Sequence, residues 1–197
     1  MIDLGQVLLL ALVQGLTEFL PISSSAHLVI PPLLLGWPDQ GLAFDVAVHV
    51  GTLSAVLIYY RRDLIDMASA WLGSMTGGPA SDDSAMVWYL LLATIPAGIV
   101  GLAAGDYIEM NLRNLPVIAT TTLVFGLLLG LAQRLGAAPG EGRKLNLSLA
   151  MGIGLAQALA PIPGVSRSGV TITAGLMLGM DRQSWPFQSV SWLKTTP

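Results

Sequence analysis

The 197-residue chain contains no cysteine. No disulfide can form, and cysteine usage says nothing about the redox compartment. Charge is scarce as well: 11% of residues are Asp, Glu, Lys or Arg, where an ordinary soluble domain carries about a quarter. The formal net charge of −3 is not gathered into a run, so nothing resembles a nucleic-acid-binding patch. The N-terminus begins Met1-Ile2-Asp3 and passes straight into apolar sequence. It has no basic stretch ahead of a small-residue cleavage site, so a cleaved signal peptide is not expected and the first helix should be retained. What is present in abundance is apolar surface: 53% of residues are hydrophobic and the mean hydropathy is +0.69. The composition is that of a membrane protein.

The apolar sequence is interrupted early by Gln14-Gly15-Leu16-Thr17-Glu18-Phe19-Leu20-Pro21-Ile22-Ser23-Ser24-Ser25-Ala26-His27. A near-copy returns about 143 positions later as Gln157-Ala158-Leu159-Ala160-Pro161-Ile162-Pro163-Gly164-Val165-Ser166-Arg167-Ser168-Gly169, the signature of an internal repeat. Gln14 aligns with Gln157, Leu16 with Leu159, Ser23 with Ser166 and Ser25 with Ser168. The copies differ in chemistry. The first carries a carboxylate and an imidazole, Glu18 and His27, whereas the second carries a guanidinium, Arg167, opposite Ser24.

A spanning helix needs roughly 20 apolar residues. Residues 4–16 and 26–35 are each too short, with Pro21 and three serines between them. Two half-helices meeting at a break fit better than one kinked helix followed by a polar loop, because broken backbone is tolerated at membrane depth where protein or a wet cavity satisfies it. Trp37-Pro38-Asp39-Gln40 reads as an interfacial turn. Residues 42–60 then form a span ending in Tyr59-Tyr60-Arg61-Arg62, an aromatic belt with paired arginines that belongs on the cytoplasmic side. Asp45 and His49 share a face of that span; Asp45 reads as interfacial and His49 as a satisfied interior histidine. Residues 61–85, with Gly77-Gly78-Pro79, read as a cytoplasmic loop. Residues 86–135 hold two spans, 86–104 (kinked at Pro96) and 115–135, joined by an exterior connection carrying Asp106, Glu109 and Arg113. A basic cytoplasmic loop follows at 136–144, then the second broken segment at 145–180. Residues 181–197 turn polar. On this orientation the first break enters from outside and the second from inside. The expected fold is therefore all-α and polytopic, a single membrane domain with inverted-topology repeats and two re-entrant segments.

The polar residues of the breaks suit phosphoryl chemistry. Arg167 offers a planar fork of donors for phosphate oxygens, and Gly164 and Gly169 let backbone N–H groups approach an anion. A half-helix starting near Ser166 or Ser168 would add a favourable dipole. Ser24 and His27, three apart, could pair as hydroxyl nucleophile and imidazole base. Glu18 could hold a divalent cation bridging a diphosphate. Each has a plainer alternative: serines as helix-packing residues, Glu18 lining a pore, Gln14 and Gln157 as inter-helix hydrogen-bonding groups. A central arginine costs about 2.5 kcal/mol or more and needs a partner, for which Glu18 is the natural choice.

These two segments closely resemble the signature motifs of the undecaprenyl-diphosphate phosphatases, the bacitracin-resistance family. Gln14 through His27 resembles its Glu/Gln-x-x-x-Glu motif with trailing serines and histidine, and Pro163 through Thr171 its Pro-Gly-x-Ser-Arg-Ser-x-x-Thr motif. The similarity runs from residue 1 to about 182. The resemblance implies an inner-membrane enzyme, its active site facing outward, that converts undecaprenyl diphosphate to undecaprenyl phosphate with a divalent cation (Mg2+ or Ca2+). It implies Glu18, Ser24, His27 and Arg167 as catalytic residues, with Glu18 also at the metal. It further implies Gln14, Ser23, Ser25, Ser166, Ser168 and Thr171 as substrate-binding residues. The expected partners are a polyprenyl diphosphate, membrane lipids and a second copy in a homodimer, with no nucleic acid. The alternative is a transporter or flippase of an anionic lipid, an architecture that also uses broken helices. Gln14 takes the place of a carboxylate the family pattern also allows. Family members continue with further membrane helices where this chain turns polar after Arg182, an ending expected of a truncation or an altered reading frame.

Overall fold

A computed structural model describes residues 2–138 and 140–180; the polar tail expected at 181–197 lies outside the described residues. Within them the chain forms α1 (Leu4–Thr17), α2 (Ser24–Leu35), α3 (Gly41–Tyr59), α4 (Arg61–Met75), α5 (Asp82–Leu112), α6 (Leu115–Leu135), α7 (Leu147–Gln157) and α8 (Arg167–Met177). No strand occurs among the described residues. Three helices, α3, α5 and α6, are long and apolar enough to cross a membrane, and almost none of their apolar stretch is buried within the chain. Leu102 in α5 is 92% exposed, a position that hydrocarbon rather than water would solvate.

The other apolar helices are half-spans. At about 1.5 Å per residue, α1 and α2 reach roughly 21 and 18 Å against a hydrocarbon core of about 30 Å. Each ends at a break, residues 18–23 in the first pair and 158–166 in the second, and each pair packs on itself, α1 on α2 and α7 on α8. The second pair is held by the long helices: α7 packs along α5 and α8 along α6. The first packs on α3 through α1, and α2 reaches α6 where Ala26 and Val29 bury Ile118.

Capping explains where the second half of each hairpin starts. Ser23 Oγ accepts from the Ala26 N–H ahead of α2, and Ser166 Oγ accepts from the Gly169 N–H ahead of α8, the preferred use of serine at an N-cap. The repeat is thus structural as well as sequential. α2 continues through Pro31 and Pro32 and stops at Gly36 in the left-handed region, as helix C-termini commonly do.

Two sequence expectations change. Residues 61–85 are not simply a loop: α4 fills Arg61–Met75, and only the stretch around Gly77-Gly78-Pro79 turns. Its polar side reads as loop in the sequence, but α4 packs against α5, where Trp71 meets Trp88 edge-on at 5.6 Å. The exterior connection is also shorter, because α5 runs through Pro96 and carries Asp106 and Glu109 within it.

Gly164 fixes the second break against α6. Its φ is +90°, and a Cβ there would overlap Thr121 Oγ1 and sit 2.7 Å from the Ile118 carbonyl. Thr121 Oγ1 donates to the Pro163 carbonyl at 2.7 Å. Gly164→Ala should therefore cost about 3 kcal/mol or more, read as a lowered unfolding temperature in detergent. Gly126→Ala, in α6 with nothing within 4 Å of the added carbon, should be neutral or slightly stabilising.

Candidate active site

The two breaks touch. Ser168 Oγ donates to the Leu20 carbonyl at 3.1 Å, and a side chain at Gly169 would meet the Pro21 carbonyl at 3.2 Å. Between them lies a polar cavity of about 170 Å³, walled by Glu18 and Ser23–Ser25 on one side and Ser166–Ser168 on the other, with His49 of α3 alongside. The serines repeat the same bond in both halves: Ser23 and Ser25 share a hydrogen bond at 3.0 Å, and Ser166 and Ser168 share one at 3.1 Å. Ser24 is the first residue of α2 and Arg167 the first of α8. Two helix N-termini thus line one cavity, where their dipoles favour an anion.

Glu18 caps the end of α1, and its contacts all fall on Oε2. Gln14 Nε2 donates to it at 2.8 Å and Ser24 Oγ at 2.6 Å, while His49 Nε2 stands 3.5 Å away. Gln14 is fully buried behind the carboxylate, one turn earlier on α1. The short Ser24–Glu18 bond is the arrangement in which a carboxylate takes the proton of an attacking hydroxyl.

Several expected contacts are not made. Ser24 does not face His27. Its hydroxyl turns back to Glu18, and His27 Nδ1 donates instead to the Ser23 carbonyl at 2.7 Å, because a ring one turn into the helix is close to that carbonyl. His27 is also absent from the walls of the cavity. Arg167 lines the cavity with Glu18 but forms no ion pair with it among the described residues; Glu18 is already engaged by three groups, and Arg167 remains exposed. Thr171 points its hydroxyl to the Arg167 and Ser168 carbonyls and lines a separate cavity of about 130 Å³ with Gln157. Among the described residues the Gln157 side chain makes no hydrogen bond between helices.

Sequence reasoning assigned His49 and Arg113 no part in the site: His49 reads there as a satisfied interior histidine and Arg113 as part of an exterior connection. His49 stands on the cavity wall beside Glu18 rather than inside the helix packing. Asp45, read as interfacial, is buried and bonds Arg113 Nη2 at 2.8 Å and Gln40 Nε2 at 2.8 Å. Arg113 also reaches Asp39 at 3.2 Å. These pairs tie the start of α3 to the end of α5 and close one end of a larger cavity of about 790 Å³. Glu18 and Arg167 stand in its wall, while Val46, Val50, Leu53 and Val56 of α3 face Gly101 and Gly105 of α5 along an apolar course. The signal for His49 was its place four residues after Asp45 on a membrane helix, where an ionisable group is a functional candidate.

Among the described residues no group of three His, Asp or Glu side chains surrounds a metal position. The donors present, the Glu18 carboxylate with His49 Nε2 nearby, still fit a cation that takes its remaining ligands from a bound diphosphate, as hard divalent ions do.

Known proteins resemble this chain in sequence. A family model described as "Bacitracin resistance protein BacA" matches residues 7–188. A protein of Teredinibacter turnerae named undecaprenyl-diphosphatase is 59% identical over 180 residues, covering 91% of this chain and 68% of the relative. Proteins of the same name from Saccharophagus degradans and Colwellia psychrerythraea are 56% and 58% identical, each aligned over 91% of this chain and 68% of its own length. This chain therefore spans about two thirds of the length of those relatives. With both motifs inside the matched region and meeting at one cavity, the chain belongs to the bacitracin resistance protein BacA family.

Proposed function

We infer that the chain is a membrane-embedded hydrolase that converts undecaprenyl diphosphate to undecaprenyl phosphate and inorganic phosphate. It thereby recycles a lipid carrier for peptidoglycan synthesis and supports bacitracin resistance. The relatives bear the name of this activity. The observation that carries the reading is the junction of the two breaks: a polar cavity with a carboxylate-bonded serine on one side and an arginine on the other, opening beside an apolar course. A lipid diphosphate needs both surfaces, a charged head site and a dry path for the chain.

The residues divide the work as follows. Arg167 and the N-termini of α2 and α8 bind the terminal phosphate and offset the charge that develops on its oxygens. Ser24 Oγ attacks the terminal phosphorus while its proton passes to Glu18, and the bond to the bridging oxygen breaks, releasing the lipid monophosphate. Glu18 passes that proton to the departing lipid phosphate. Water then attacks the phosphoserine phosphorus, its proton goes to Glu18, and Glu18 returns it to the Ser24 oxygen as the P–O bond breaks, freeing phosphate and Ser24. Gln14 holds the carboxylate in place from behind. The Ser23–Ser25 and Ser166–Ser168 pairs fix the two helix starts, while His27 serves the capping of α2. A divalent cation, when bound, would neutralise diphosphate charge from the side of Glu18. The same reading places the protein in the inner membrane with inverted repeats, the site open to the outer face, and two copies in a homodimer.

The test is phosphate release from undecaprenyl diphosphate by the purified 197-residue chain in detergent, followed with and without added divalent cation. Metal-dependent release is the expected result. Transfer of the lipid across vesicles without release of phosphate would overturn it.

A further inference from the structure

We propose that His49 is the second protein ligand of the divalent cation, giving the site a nitrogen donor and a preference for first-row transition ions over Ca2+. The proposal deepens the phosphatase reading and rests on its placing a cation at Glu18. Its basis is the way the ring is held. His49 Nδ1 lies 2.7 Å from the Asp45 carbonyl oxygen. A carbonyl can only accept, so Nδ1 carries the hydrogen, and in the neutral ring Nε2 presents a lone pair. That lone pair faces the Glu18 carboxylate at 3.5 Å. With the ring in that form, two electron-pair donors stand 3.5 Å apart, a separation too long for a hydrogen bond.

That spacing suits two ligands sharing one ion, since imidazole nitrogen and carboxylate oxygen each stand about 2.0–2.2 Å from a metal such as zinc. The remote ring nitrogen bonded to a backbone carbonyl is also the usual support of a metal-bound histidine, fixing tautomer and orientation. Here the support is itself anchored, because Asp45 is buried and bonded to Arg113 and Gln40. With two protein ligands the remaining positions stay open to the substrate's oxygens. That suits a catalytic cation more than a structural one. Imidazole favours ions such as Zn2+, Ni2+ or Co2+, whereas Ca2+ prefers oxygen alone.

The sequence makes the test clean. The chain has two histidines and no cysteine, so in tag-free protein an imidazole ligand can come only from His27 or His49. Co2+ alone is titrated into the detergent-solubilised chain, without substrate, and its visible d–d absorption is recorded beside calorimetric titration of Ca2+. His49→Ala should weaken Co2+ binding about 10-fold or more and change the spectrum, with Ca2+ affinity held within about 3-fold. His27→Ala should leave both as in the parent. Unchanged Co2+ affinity and spectrum in His49→Ala would overturn the proposal, leaving His49 as an imidazolium partner of Glu18. An equal fall for both ions would overturn it too, since the mutation would then have disturbed Glu18 rather than removed a ligand. Because no substrate is present, His49-dependent Co2+ binding in a chain that releases no phosphate would count against the phosphatase reading alone.

Discussion

Arg167→Ala is expected to lower the rate of phosphate release by about 10³-fold, the low end of what an arginine supplies to phosphoryl transfer, while leaving the protein no less stable. The two halves of that expectation come from the same geometry. Arg167 opens α8 behind the Ser166 cap and lines both of these cavities, yet forms no ion pair among the described residues. A guanidinium at membrane depth without a partner costs free energy, and it is offset when an anion arrives. Removing it should therefore hold or raise the unfolding temperature in detergent even as activity is lost. Arg167→Lys separates charge from shape: lysine keeps the charge but not the planar fork, and a fall of about 10-fold or more in kcat is expected. Parallel loss of activity and stability in Arg167→Ala would instead mark a structural arginine. Full activity in Arg167→Ala would remove it from the mechanism.

What the sequence made legible is what local chemistry controls. Serine at an N-cap and proline in a break act within a few residues, so the start of α2 at Ser24 and of α8 at Arg167 could be approached from the motif alone. The constant offset between copies carried the matched pairs Ser23–Ser25 and Ser166–Ser168 into matched hydrogen bonds. What it hid depends on how helices lie against one another. The spacing of Ser24 and His27 allowed a pair on one turn, but Glu18 arrives from α1 and takes the hydroxyl. Arg167 and Glu18 reach the same cavity, yet side-chain direction decides whether they bond. His49 stood outside both motifs, and only the packing of α1 on α3 brings it beside Glu18. Asp45 and Arg113 are separated by most of two spans, and no local pattern announces their pairing. α4 was hidden for a different reason: Arg61, Arg62, Asp63 and Asp66 give it the look of a loop, while its contact with α5 gives it a reason to be a helix.

Glu18→Gln keeps the size of the side chain and an oxygen able to accept from Ser24, but removes the charge that makes it a base. A loss of about 10²–10⁴-fold in kcat is expected, the usual contribution of a positioned general base. If Ser24 is the nucleophile that Glu18 activates, Ser24→Ala should cost at least as much, and the double variant should be no slower than Ser24→Ala, because groups that act as one unit are lost only once. Residual activity in all three would come from Arg167 and the helix N-termini, which none of these changes touches. Were the losses to multiply instead, the two residues would be contributing independently. Glu18 would then act on water or a cation, and the 2.6 Å bond to Ser24 would be an orienting contact. A radiolabelled phosphoserine trapped from the parent enzyme and missing in Ser24→Ala would support the first outcome from a second direction. The cycle is informative because Gln14, which donates to Glu18 Oε2 from a fully buried position, can still reach the oxygen of a glutamine at position 18. The substituted side chain should stay where the carboxylate was, so the comparison reads chemistry rather than displacement.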